Sequence, residues 1–106
     1  MSAFREPPDT AGPPEDESIW TIEAAAAAVR KGWDKTIKAD AKAAARAYAY
    51  LRDQPFSRYP GRCFPLRGRA QKGVWQYEVN ATYRLRYSAV KDRDHVLVVL
   101  YAGDYH

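Results

Sequence analysis

Arginine and lysine crowd one part of this sequence, and the chemistry open to them is to hold negative charge. Between residues 62 and 93 the chain carries Arg62, Arg67, Arg69, Lys72, Arg84, Arg86, Lys91 and Arg93 against Glu78 and Asp92. Such a stretch suits an anionic partner such as RNA, DNA or an acidic protein segment, and it equally suits a solvated basic surface. Arg84 is the best placed of these cations, because it falls in a segment of strand period. A strand holds its side chains stiffly, and a guanidinium fork matches phosphate geometry. Near the C-terminus, Tyr105 and His106 are groups that can move protons, and histidine titrates close to neutrality, so it can act as acid or as base. Cys63 is the single cysteine. It can form no internal disulfide, and with two histidines it makes a poor metal set, so no metal or other cofactor is expected and a reducing cytoplasm is the natural location.

A chain of 106 residues, 46% of them hydrophobic, fits one domain with a thin core. No stretch approaches the roughly 20 apolar residues of a membrane helix, so no membrane partner is expected. The charge is unevenly spread: residues 1–17 hold Arg5 against Glu6, Asp9, Glu15, Asp16 and Glu17, a net −4, which leaves +8 on residues 18–106. The first segment also holds four prolines. It reads as a disordered acidic arm over 1–17, with nothing to offset chain ordering by burial. The folded domain is expected over 18–106.

The elements that would position Arg84 follow from period and punctuation. Ile19–Ile22 is branched and aromatic, which suits a short strand. Ala24–Ala28 favours helix, Ala25, Val29 and Trp33 recur at steps of four, and Gly32 is expected near the helix end. A second helix is expected from about Thr36 to Arg52, with Ile37, Ala41, Ala44, Ala45, Tyr48 and Leu51 at helical spacing and Pro55 as its stop. Residues 53–73 read as a long irregular connection, with a short strand at Cys63–Arg67. From residue 74 the period changes to two. Trp75, Tyr77 and Val79 alternate with Gln76 and Glu78. Tyr83, Leu85 and Tyr87 alternate with Arg84, Arg86 and Ser88, and Asn80-Ala81 can turn the chain between the two runs. Val96–Tyr101 is apolar enough for a strand buried on both faces. Short turns between consecutive strands imply antiparallel pairing. The fold class is therefore α+β: two N-terminal helices packed on a mostly antiparallel sheet of about four strands. By alternation Tyr83 belongs to the core and Arg84 to the opposite face. Trp75, Tyr77 and Tyr87 read as core or cross-strand pairs, though such rings can also stack on bases.

This order of elements, together with three local motifs, resembles the RelE/ParE superfamily of bacterial toxins. Leu66-Arg67-Gly68 is similar to the family's Leu-Lys/Arg-Gly element before the first hairpin strand. Tyr83-Arg84-Leu85-Arg86-Tyr87 is similar to its aromatic-Arg-aliphatic-X-Tyr central strand, and Val98-Val99-Leu100-Tyr101-Ala102-Gly103 to its last strand ending in glycine. The resemblance covers residues 18–106 and implies a toxin of a type II toxin–antitoxin module, held inactive by a cognate antitoxin. RelE- and YoeB-like members cut mRNA on the ribosome, whereas ParE-like members poison DNA gyrase. A third possibility is a toxin-fold protein that only binds.

RNA cleavage without a metal requires a base for the 2′-hydroxyl proton, a cation for the charge on the phosphate, and an acid for the departing 5′-oxygen. The resemblance assigns the cation to Arg84 and the acid and base to Tyr105 and His106, since YoeB-like toxins carry a His-Tyr pair after the same strand. Arg67, Arg69, Lys72, Arg86 and Arg93 are expected to contact phosphate and set RNA affinity. The sequence departs from the family where RelE-like enzymes place basic residues on the strand before the arginine strand. Here that strand reads Trp75-Gln76-Tyr77-Glu78. Phe64 stands where YoeB-like members carry an acid.

Overall fold

The computed structural model describes residues 4–7 and 19–104. Its elements in chain order are β1 (Thr21–Ala24), α1 (Ala27–Ala39), α2 (Ala41–Asp53), β2 (Cys63–Pro65), a 3₁₀ turn at Arg69–Gln71, β3 (Trp75–Glu78), β4 (Tyr83–Ala89) and β5 (Val96–Asp104). Two helices therefore pack on a largely antiparallel sheet, as the change of period at residue 74 implies.

The sheet has five strands in the order β1-β5-β4-β3-β2. The β2–β3, β3–β4 and β4–β5 pairs are antiparallel, as their short connections require. The fifth strand is the short β2, and β1, expected from Ile19–Ile22, lies parallel to β5 at the edge, with Ile22 opposite Leu97. A parallel neighbour needs a long crossover, and here the helices and the hairpin strands separate the two partners in sequence.

The helix boundaries differ from those read by propensity. Gly32 lies inside α1 rather than at its end. A Cβ there would stand 1.8 Å from the carbonyl oxygen of Ala102. The glycine lets α1 approach the backbone of β5, so it serves packing and not termination. The break comes at Asp40, between the helices. Its carboxylate accepts from the Ala43 amide at 3.1 Å and caps α2. α2 ends at Asp53, just before Pro55.

One face of the sheet carries the core. Tyr77, Leu85, Tyr87, Leu97 and Val99 are buried there against Val29, Trp33, Ala44, Ala47 and Leu51 of the helices. α1 is the helix that lies close against β5, and α2 packs mainly on α1. Tyr83 packs against the same cluster, as its alternation with Arg84 requires. β5 is less covered than its apolar sequence suggests: Leu100 and Tyr101 are exposed. A register shift between Arg86 and Tyr87 leaves Leu100 without a partner on β4, so the strand bulges there.

The N-terminal segment departs from the expectation of an unpacked arm. Phe4 is only 5% exposed and its ring lies 4.7 Å from that of Trp33 and 6.4 Å from that of Tyr48. The Phe4 amide donates to Ile22 O at 2.9 Å, and Trp33 Nε1 donates to Arg5 O at 2.6 Å. The acidic and proline-rich composition of residues 1–17 hid this one aromatic side chain. The rest of that arm, residues 1–3 and 8–17, lies outside the described residues.

Candidate functional site on the open sheet face

The face turned away from the helices is organised in rows across the strands. Period-two alternation puts Gln76, Glu78, Arg84, Arg86 and Ser88 on it. The β3–β4 register places Glu78 opposite Arg84 and Gln76 opposite Arg86. The β4–β5 register places Gly103 beside Arg84 and Tyr101 beside Arg86. One row thus reads Glu78–Arg84–Gly103, and the next reads Gln76–Arg86–Tyr101.

Local contacts explain why β4 is rigid enough to carry Arg84. Asn80 builds the preceding turn: its Oδ1 accepts from the amides of Thr82 and Tyr83, both at 2.8 Å. Its Nδ2 donates to Asp40 Oδ2 at 3.0 Å, which ties the turn to the helix junction. This bond, with the Ala43 amide and Arg46, holds the Asp40 carboxyl below its ordinary value. At the other end of β4 the hydroxyl of buried Tyr87 donates to Pro55 O at 2.5 Å and lies 3.0 Å from Cys63 Sγ. Burial pushes the Tyr87 hydroxyl and the Cys63 thiol up from their ordinary values, so both stay protonated near neutrality.

The polar side chains of the open face also hold one another. Arg86 Nε donates to Gln76 Oε1 at 3.0 Å, and Gln76 Nε2 donates to Glu78 Oε2 at 3.3 Å. Gln76 is 4% exposed, so its amide is pinned between an arginine and a carboxylate. On β5, Gly103 has a φ of 146°, a region that favours glycine. No side chain rises from it beside Arg84. A cleft of about 350 Å³ opens between α1 and the ends of β4 and β5, lined by Gly32, Lys35, Tyr83, Tyr101, Ala102, Gly103 and Asp104.

The other residues singled out from the sequence are scattered. Arg67, Arg69 and Lys72 are exposed on the loop that joins β2 to β3. That loop lies beyond the Trp75 end of β3, roughly 10 Å of strand away from the Glu78–Arg84 row at about 3.3 Å per residue. Arg93 has a different engagement: its Nη1 and Nη2 donate to the two oxygens of Glu23 at 3.0 and 3.1 Å. This bidentate pair ties the β4–β5 turn to β1. Tyr105 and His106 lie outside the described residues. Among the described residues no group of three or more His, Cys, Asp or Glu side chains is placed to hold a metal ion, and no helix is long and apolar enough to cross a membrane.

Glu78 and Gln76 are the site residues that sequence reasoning passed over. Both read there as the absence of lysine or arginine. Their signal was present in the alternation: once the Asn80 turn sets the hairpin register, positions 76 and 78 fall opposite 86 and 84.

No protein-family model matches the sequence, and no curated protein matches it either. Solved structures do match the fold. A YoeB/ParE toxin from Agrobacterium tumefaciens aligns over 80% of this chain and 98% of its own, with a TM-score of 0.62 at 18% identity. A YafQ variant from E. coli aligns over 81% and 93%, with a TM-score of 0.60 at 19% identity. A YoeB–YefM complex from Staphylococcus aureus aligns over 82% and 97%, with a TM-score of 0.54 at 15% identity. The chain has the RelE/YoeB-like toxin fold, and the match runs nearly the full length of each of these chains.

Proposed function

We propose that this protein is the toxin of a type II toxin–antitoxin module and acts in the cytoplasm as a metal-independent endoribonuclease on ribosome-bound mRNA. The observation that carries this reading is the placement of Arg84. It sits on the central β4 of a toxin-fold sheet, on the open face, between Glu78 on one side and the bare backbone of Gly103 on the other. A guanidinium on a stiff strand can stabilise charge building on phosphate oxygens. Gly103 adds no side chain beside Arg84, and the nearest group there is the Tyr101 hydroxyl, 3.7 Å from where a Cβ would stand. Arg86 and the loop cations Arg67, Arg69 and Lys72 would add phosphate contacts along the same molecule. Tyr105 and His106 would supply proton transfer.

The same face is the surface proposed for a cognate antitoxin. A neighbour with this fold is a YoeB–YefM complex, which supports a protein partner. A segment with acidic and apolar side chains would complement Arg84, Arg86, Tyr101 and Leu100.

The test is cleavage of a defined mRNA on programmed ribosomes, read by primer extension. The wild type should cut. Arg84→Ala should lower the rate about a hundredfold or more, corresponding to roughly 3 kcal/mol of barrier. Arg84→Lys should recover part of it, because lysine keeps the charge and loses the fork. Full activity in Arg84→Ala would remove this site from the chemistry. The second reading is a ParE-like inhibitor of DNA gyrase, favoured by Gln76 and Glu78 where RNA-cutting relatives carry basic residues. Under it, supercoiling is blocked and mRNA survives.

A further inference from the structure

We propose that Glu78 is the general base of this site, the group that takes the proton from the attacking 2′-hydroxyl, and that Gln76 is the residue that positions it. The inference rests on the ribonuclease reading above and assigns one of its two proton-transfer roles to a described residue.

The geometry points to it in three ways. Glu78 lies directly opposite Arg84 in the β3–β4 register, and side chains at such positions start from Cβ atoms about 4.5–5.5 Å apart. A phosphate held by Arg84 therefore lies next to the carboxylate, and the 2′-oxygen of the same nucleotide lies within reach of it. Second, Glu78 is only partly buried, so solvent and substrate can reach it, whereas its strand neighbour Tyr77 is 3% exposed on the core side. Third, the carboxylate is oriented. Gln76 Nε2 donates to Oε2 at 3.3 Å, and Gln76 is itself fixed because its Oε1 accepts from Arg86 Nε at 3.0 Å. The amide cannot turn over without losing both bonds, so the chain Arg86–Gln76–Glu78 presents the carboxylate in one pose. An ionised carboxylate only accepts hydrogen bonds, which is what a base must do.

The step balances without a metal or an oxidant. The 2′-hydroxyl proton moves to Glu78 Oε1, and the 2′-oxygen forms its bond to phosphorus while Arg84 faces the phosphate oxygens. The bond from phosphorus to the 5′-oxygen breaks, and that oxygen takes a proton from the general acid. Glu78 then returns its proton through water to that acid. The products are a 2′,3′-cyclic phosphate and a 5′-hydroxyl end.

Single-turnover cleavage on programmed ribosomes tests this with the full chain, its folding checked by thermal melts. Glu78→Gln should lower the rate about a hundredfold or more and leave ribosome binding unchanged. Glu78→His should restore part of the rate and make it rise with pH through about 6.5, the range where imidazole loses its proton. That limb is a readout that a merely structural role would not move. Gln76→Ala should lower the rate less than Glu78→Gln and leave the pH dependence as in the wild type. Cleavage by Glu78→Gln at the wild-type rate, or by Glu78→His with the wild-type pH profile, would overturn the assignment of Glu78 alone. A wild-type protein that leaves the mRNA intact would instead sink the nuclease reading, and Glu78 would lose its role with it.

Discussion

The two faces of the sheet are made from the same strands by alternate residues, yet they hold their polar atoms in opposite ways. On the helix side, Tyr77, Leu85, Tyr87 and Val99 are buried, and the Tyr87 hydroxyl needs Pro55 O and the Cys63 thiol as partners because no water reaches it. On the open side, Gln76, Glu78 and Arg86 bond to one another at the edge of solvent. Removing a side chain from the first face leaves a cavity or a stranded acceptor. Removing the partly exposed Glu78 or Arg86 from the second leaves water to fill in. Stability and activity are therefore separable by face, and the variants below test that division.

The largest stability effect is expected beyond the strands, in the segment that extends the helix-side core. Phe4→Ala should destabilise the protein by about 3 kcal/mol, since it empties the space beside Trp33 and Tyr48. At about 4–8 °C per kcal/mol for a domain of this size, the melting temperature should fall by more than about 10 °C. Deleting the arm should do the same, although composition alone implies almost no change. An unchanged melting temperature would show that Phe4 does not belong to this core.

Tyr87→Phe should cost less, about 1–2 kcal/mol, because the buried Pro55 carbonyl loses a strong donor while the ring stays. Urea unfolding should show a lower midpoint at unchanged slope. A neutral outcome would mean that the ring alone anchors the loop before β2. By contrast, Arg84→Ala should move the unfolding midpoint much less than either, because it sits on the open face, while it removes activity. A large loss of stability there would break the division between faces.

The smallest effect concerns the helix junction. Asp40 has its carboxyl held below the ordinary value of 3.8, chiefly by Asn80. A carboxyl with a depressed folded value stabilises the protein at pH above that ordinary value. The contribution is lost as pH falls through the lower folded value. Wild type should therefore lose stability relative to Asp40→Asn as the solution is acidified from neutrality to below that range. Melting curves that stay parallel down to low pH would rule out this contribution.

Much of the fold was legible because it rests on neighbours in sequence. The helix pair shows in alanine propensity and spacing, and the strands from Trp75 onward show in alternation. Tyr83 and Arg84 could be assigned to opposite faces on parity alone. Gly32 was misread because a glycine near a helix end and a glycine beneath a crossing strand look alike until Ala102 is placed against it. Phe4 was missed because one aromatic among prolines and acids has no period.

The candidate site was half legible. Arg84 could be named from its motif and its strand, since both are local. Its partners could not, because they depend on register. A shift of one residue between β3 and β4 would put Glu78 and Gln76 on the wrong face. The turn built by Asn80 and its tie to Asp40 settle that register. The sequence by itself determined which side chains can share a face, because alternation is a property of the backbone repeat. Only the tertiary structure decided which of them stand opposite one another, that β1 closes the sheet in parallel, and that Arg93 is held by Glu23. Those pairings join residues up to 75 positions apart, as Thr21 and Val96 are, and nothing in the local chain geometry encodes such distances.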